Sequence, residues 1–412
     1  MSFQQGLSGL DAASKSLESI GNNVANAATV GFKQSQVQFS DIYASTLLGS
    51  GASQIGIGTQ VSRVAQLFSQ GNVTASDNPL DMAINGNGFF RLNNNGAISY
   101  TRNGQFLPTK EGYIVSASGA RLTGFLADAN GVIQTGTPTD IVINKGDMAP
   151  RATDTYDLQV KLDSREDALD PADFDPTDPN TYTHATTAPV YDSLGNTHQL
   201  KTFYVKTGPN QWSVYATNDD AAVDTGSTPQ GLIGTMTFSG NGGALTGTTP
   251  DPMTIPLDVT TGATTPFNVT LNPTGTQQLA GEFALSKQLP NGYASGMLVD
   301  FSVGDGGMIV GRYTNGQVQA LGQVILSNFA NPNGLQNLGD NQWAETADSG
   351  VPMTSTPGSS GLGSVQSSRI EESNVDLTEE LVNMITAQRN YQANAQTIKT
   401  QDQIMQTLVN LR

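Results

Sequence analysis

Apolar residues follow two different rhythms along this chain, and the rhythm changes towards each end. Leu377, Leu381, Met384, Tyr391, Ala395, Ile398, Met405 and Val409 recur at steps of three and four or multiples of that pattern. Such a stripe predicts a long amphipathic helix with a coiled-coil seam. The stretch that carries it, Ser364 to Arg412, holds no glycine or proline in a chain with 45 Gly and 19 Pro. Ser373 with Asp376, and Asp376 with Glu379, give two overlapping capping-box signals for its start. From Asp376 onward it extends about 50 Å at ~1.5 Å per residue. A helix of that length cannot bury its apolar face on itself.

Phe3, Leu7, Leu10, Leu17 and Val24 share the spacing and predict a second helix, ending between Gly21 and Ala28. Gly6 and Gly9 each cost it about 1 kcal/mol against alanine, so alone it is marginal in water. Spacing leaves two outcomes equally open: the helices pair, or each docks separately on a globular core.

Between them the period falls to two. Phe89 to Leu92, an Asn-Gly turn and Ile98 to Arg102 read as a hairpin, and Asn103-Gly104 is a further hairpin signal. Tyr113 to Val115, Ile141 to Ile143, Met297 to Val303, Met308 to Tyr313 and Leu321 to Leu326 continue the series. The runs Tyr156 to Leu162, Gln199 to Lys206, Gln211 to Ala216, Met236 to Phe238 and Phe267 to Leu271 predict a second all-β domain. The expected organisation is nested. Residues 1–28 form the first helix, and 29–71 a connector beside the helices, with a short helix over Gln36 to Leu48 and an extended segment over Gly58 to Phe68. Residues 72–148 plus 291–348 form a discontinuous inner β domain, and 149–290 an inserted outer one. Residues 349–372 make a linker that is rich in Gly, Ser and Pro over 349–363, and 373–412 the last helix.

Composition narrows the function. Only 13% of residues are charged, the formal charge is −17, and there is no cysteine. The acidic excess argues against nucleic acid and against anionic membrane surfaces. No apolar run is long enough to span a bilayer, and the first residues lack the basic and apolar regions of a signal peptide. His184 and His198 belong to no metal-ligand spacing, and no Gly-x-Ser-x-Gly elbow presents a serine. The acidic run from Asp163 to Asp178 lacks the glycine and terminal glutamate of an EF-hand and reads as a proline-stiffened loop. Gly86-Asn87-Gly88 and Gly240 to Gly243 lack the lysine of a phosphate loop. Nothing here supports catalysis or a cofactor.

Two stretches carry more than physics. Ser19 to Asn26, with Asn22, Asn23, Ala25 and Asn26, continuing to Gly31-Phe32-Lys33, resembles the N-terminal signature of the flagellar rod, hook and hook-associated axial proteins. Ser373-Asn374-Val375-Asp376-Leu377 and Glu380 to Ile385 resemble their C-terminal signature, and Gln388 to Thr400 looks like the hook branch of that family. Gly86 to Leu92 and Tyr100 to Phe106 resemble its inner β domain, Tyr191 to Asn196 and Phe203 to Lys206 its outer one. The resemblance does not extend to the stretches 163–187 and 221–262.

The resemblance implies a homopolymeric tube: paired terminal helices as a coiled-coil-like inner layer, and two nested β domains outward. It implies a universal joint between motor and filament, outside the cell, exported unfolded by the flagellar type III route without a cleaved signal peptide. Implied partners are further copies of the chain, rod and hook-associated junction proteins, a hook cap protein and the export apparatus, with no nucleic acid and no membrane insertion. Phe3, Leu7, Leu10, Leu17, Val24, Leu377, Leu381, Met384, Tyr391, Ile398, Met405 and Val409 would carry polymerisation. Distal rod proteins share both signatures but lack a large insert, so the insert favours the hook branch. A secreted β-rich adhesin, the alternative from another class, needs an exposed aromatic cluster, and the chain has only Trp212 and Trp343.

Overall fold

The structure, a computed structural model, describes residues 2–42 and 56–410, and the side chains of all but 2, 305 and 408–410. It is a mainly β chain with helical termini, α1 (Ser2–Ala25) and α2 (Leu377–Asn410). Asp376 starts α2 as the sequence requires: its carboxylate accepts from the N–H of Thr378 at 2.8 Å and of Glu379 at 3.3 Å. α1 ends where the Asn26 side chain turns back onto the Asn22 carbonyl at 3.0 Å. Gly31 then takes a positive φ of 72° against the Asn103 backbone, where a Cβ would lie 2.6 Å from the Asn103 nitrogen.

Two compact units divide the chain: 1–145, 300–312 and 318–412 form one, 146–299 and 313–317 the other. In the first, the strands Met308–Tyr313, Val318–Val324, Arg121–Leu126, Phe89–Asn94, Ala97–Thr101, Gln342–Ala344 and Gln336–Gly339 lie side by side in that order. The hairpin from Phe89 to Thr101 turns on Asn95 and Gly96, both at positive φ, as a type I′ turn demands. Its core is aromatic. Phe89, Tyr100, Phe329 and Trp343 are buried together, edge to face, with Tyr100 and Phe329 4.8 Å apart between ring centres.

Three local expectations are corrected. Residues 36–42 are not helical: Ser35–Ile42 is a strand paired antiparallel with Gly58–Gln66, and the rest of that expected helix lies outside the described residues. Val37 and Phe39 alternate with polar neighbours, a period of two that the helical reading overlooked. Asn103-Gly104 is not a hairpin turn either. Neither residue has positive φ; the Asn103 side-chain Oδ1 accepts from the Gln105 N–H at 3.0 Å, and Gly104 lies so close to Met82 that a Cβ would strike its carbonyl. Finally, the expected linker 349–372 contains strands. Ser364–Ser367 pairs with Met82–Asn85, Arg369–Glu371 pairs with Val73–Ala75, and Leu362, Val365 and Glu371 are buried.

The second unit is a β sandwich. One sheet runs His184–Tyr191, Thr197–Gly208, Gln211–Asn218, Leu232–Phe238, Leu245–Thr249; the other is built around Thr155–Asp163. The residues of Thr155–Asp163 alternate between buried and half-buried along most of the strand. Trp212 sits at the centre, fully buried, with its indole N–H donating to Gln278 at 3.0 Å. His198 is buried, not at the surface, its ring between Asp219 at 2.7 Å and Asp192 at 3.4 Å.

Candidate functional site

The two terminal helices meet antiparallel. Gly6 faces Ile398, where an added Cβ would stand 3.2 Å from its Cγ1, and Gly9 faces the Asn394 side chain. Glycines that cost α1 helix propensity thus let the two backbones approach closely. Ala13 and Ala387 are buried on the same seam. At its other end Asn23 donates to Glu380 at 3.3 Å.

The sequence-derived stripe divides on this geometry. Leu10, Leu17 and Val24 on α1, and Met384 and Ile398 on α2, are partly buried. Phe3 and Leu7 stay about half exposed, as do Leu377, Leu381 and Met405, and Tyr391 is at the edge of exposure. The Val409 side chain lies outside the described residues. Val382, Ile385 and Ile404, which the stripe did not include, are also exposed. Leu377, Leu381 and Ile385 step by four along α2, so they share a face. The face that meets α1 is instead set by Glu380, Met384, Ala387 and Ile398. A single chain therefore leaves a second apolar face uncovered on α2.

The signature residues form a polar clamp. The Asn23 amide exchanges two hydrogen bonds of 2.9 Å with the Ser35 backbone, so it fixes the angle at which the chain leaves α1. Asn26 donates to Asn22 at 2.9 Å. Asn374 accepts from the Gln34 N–H at 2.8 Å and donates to the Leu67 carbonyl at 2.8 Å. The Ser373 hydroxyl accepts from the Val375 N–H at 3.2 Å. Ala25 is exposed and Phe32 and Val375 are half-buried. The N-terminal and C-terminal signatures are thus two halves of one junction.

Sequence reasoning missed the charged centre of that junction. Glu380 is buried, accepts from Asn23 and Gln34 through one oxygen, and finds no partner for the other among the described residues. Lys33 is buried with its ammonium 2.6 Å from Glu371, which Arg102 reaches at 3.4 Å. Burial pushes the Lys33 ammonium below its ordinary value, while Glu371 pulls it back up. The available signal was chemical: a lysine two residues after Gly31, and a glutamate in a strand, each needing a partner once buried. Among the described residues no group of three or more His, Asp or Glu is placed to hold a metal, and no helix is long and apolar enough to cross a membrane. Both tryptophans are buried, so they offer no exposed aromatic platform.

Two β units and one antiparallel pair of helices make this a mainly β, multidomain class of protein. Family models match in chain order: flagella basal body rod protein over 3–33, flagellar hook protein FlgE/F/G D1 domain over 83–161, flagellar basal body protein FlaE D2 domain over 161–293, and flagellar basal body rod FlgEFG protein C-terminal over 366–411. The chain is 42% identical to the flagellar hook protein FlgE of Salmonella typhimurium and 41% to that of Escherichia coli K12, each over 100% of both chains. Its fold is similar to the crystal structure of Helicobacter pylori flagellar hook protein FlgE2, with a TM-score of 0.51 and 13% identity, over 71% of this chain and 99% of that one. The chain belongs to the flagellar hook protein FlgE family, and it is a structural subunit of the flagellar hook, an extracellular part of the flagellum.

Proposed function

We propose that the chain polymerises with itself into a flexible tube, the universal joint between rod and filament, and has no catalytic role. Rod and junction proteins at its ends, a cap protein during growth, and unfolded export without a cleaved signal peptide belong to the same reading. The observation that carries it is the uncovered apolar face of α2, with Leu377, Leu381, Val382 and Ile385 each about half exposed or more. Covering the exposed half of each large aliphatic side chain gains roughly 0.7–1.5 kcal/mol, half the value of full burial, a drive to association that every copy repeats. Uncharged amides support crowding: twelve Asn and Gln lie between Ser364 and Arg412, and they add no like-charge repulsion. Electron microscopy of protein concentrated in salt tests the reading. Curved tubes are the expected result, and particles that stay monomeric at every concentration would refute it.

A further inference from the structure

Helix stripes do not account for the ion triad around Glu371. The side chains of Lys33 and Glu371 are 0% exposed and that of Arg102 3%. Arg102 is held by the β block independently of the other two. Its Nη2 donates to the Gly86 carbonyl at 2.9 Å, and the guanidinium lies 5.4 Å from the centre of the Phe89 ring.

Glu371 is the hub. Its Oε1 accepts from the Lys33 ammonium at 2.6 Å and the Gly71 N–H at 3.0 Å. Its backbone carbonyl accepts from the Gly31 N–H at 2.8 Å. Lys33 closes the circuit by donating to the Ser69 carbonyl at 2.7 Å. Three chain segments, 31–33 after α1, 69–71 between two strands and 369–371 before α2, therefore meet on one carboxylate. Lys33 and Glu371 are separated by 338 residues, so neither end can complete the site alone. A half-formed site leaves at least one buried charge without its counterion, which costs far more than an ordinary lost hydrogen bond.

We propose that this triad is a clasp that makes the lead-out of α1, the 69–71 segment and the lead-in to α2 order as one unit, with Arg102 as the half already in place on the β block. The clasp rests on the assembly reading only for where it is best measured, in polymer grown in salt. Hydrogen exchange of the full chain follows peptides covering 29–35, 67–73 and 369–376. Wild-type polymer should protect all three alike. Glu371→Gln should raise exchange in all three together, by about tenfold or more, with the strands of 89–101 unchanged. Replacing all three charges at once, with Lys33→Met, Arg102→Met and Glu371→Leu, should restore protection, because no buried charge is then left unpaired.

Loosening of 369–376 alone, or of none of the three, would overturn the clasp. So would a triple variant as loose as Glu371→Gln, or loss of protection at 89–101, which would make the triad part of the β block's own core. Failure of the wild type to sediment counts instead against the assembly reading. The clasp is then judged in the dilute chain, where independent exchange of the three segments in the wild type overturns it.

Discussion

His184 gives the sandwich its expected response to mild acid. Its ring stacks 4.6 Å from Phe283, and its buried Nε2 has no hydrogen-bond partner among the described residues. Burial holds its pKa below the ordinary 6.5. The folded state then binds fewer protons than the unfolded one, so this stability is present at neutral pH and is lost as pH falls below about 6.5. Asp163 and Asp192 respond lower. Arg165 holds Asp163 well below the usual 3.8; burial pushes Asp192 up, but donation from Thr261, Asn196 and Leu194 outweighs it. Their contribution stands above about 3.8 and fades as pH falls through the folded-state values. Trp343→Phe leaves Trp212 as the sole tryptophan, a reporter inside the sandwich core. Its melting temperature should drop in two stages on acidification, and His184→Phe should remove the upper one. An unchanged upper stage in that variant would show that the proton goes elsewhere.

At the scale of elements, legibility followed how local the determinants were. The hairpin of Phe89–Asn94 and Ala97–Thr101 was readable because one Asn-Gly pair supplies the backbone geometry the turn needs. The start of α2 was readable because Asp376 caps it three residues ahead of Glu379. The contact face of α2 was not, because two apolar faces overlap on it and the periodic stripe averages them. The centre of the junction was illegible for a different reason: Lys33, Arg102 and Glu371 are distant in sequence, and a buried ion cluster has no period. The two faces of α2 make separate predictions. Gly6→Leu pushes a side chain into Ile398, so it should separate α1 from α2 within the chain; overpacking of this kind costs about 1–3 kcal/mol. Hydrogen exchange along both helices would report it, and unchanged protection would mean the seam yields. Leu381→Asp acts on the other face. It is 49% exposed in the single chain, so the melting of the β units should barely move. Sedimentation of polymer in salt should be abolished, since a buried unpaired carboxylate costs more than covering the exposed half of a leucine gains. Thr397→Asp, on the exposed opposite side of α2, is the control and should still sediment. If Leu381→Asp polymerises normally, that face does not join subunits.

For the whole molecule, the division into units poses the question of what each contributes to a polymer. The helices, the 35–42 and 58–66 hairpin and the junction belong to the first unit, and the uncovered apolar strip lies there too. The sandwich has its own closed core of Leu158, Val160, Tyr204, Trp212 and Val214 among others. Its strands therefore do not depend on the helices for burial. Chain entry and exit lie together, where Arg151 bridges Tyr293 and Met148 bridges Gly296. Removing 152–292 and joining the cut ends by a short Gly-Ser bridge should therefore leave the first unit able to fold, because the closing span is already short. If the terminal helices and the first unit hold the tube, this variant should sediment in salt at a concentration close to that of the full chain. The expected change is in the shape of the polymer, seen by electron microscopy as altered curvature or stiffness. A variant whose first unit melts normally yet never sediments would assign the cohesion of the tube to the sandwich, and the helices would then line a polymer that they do not hold together.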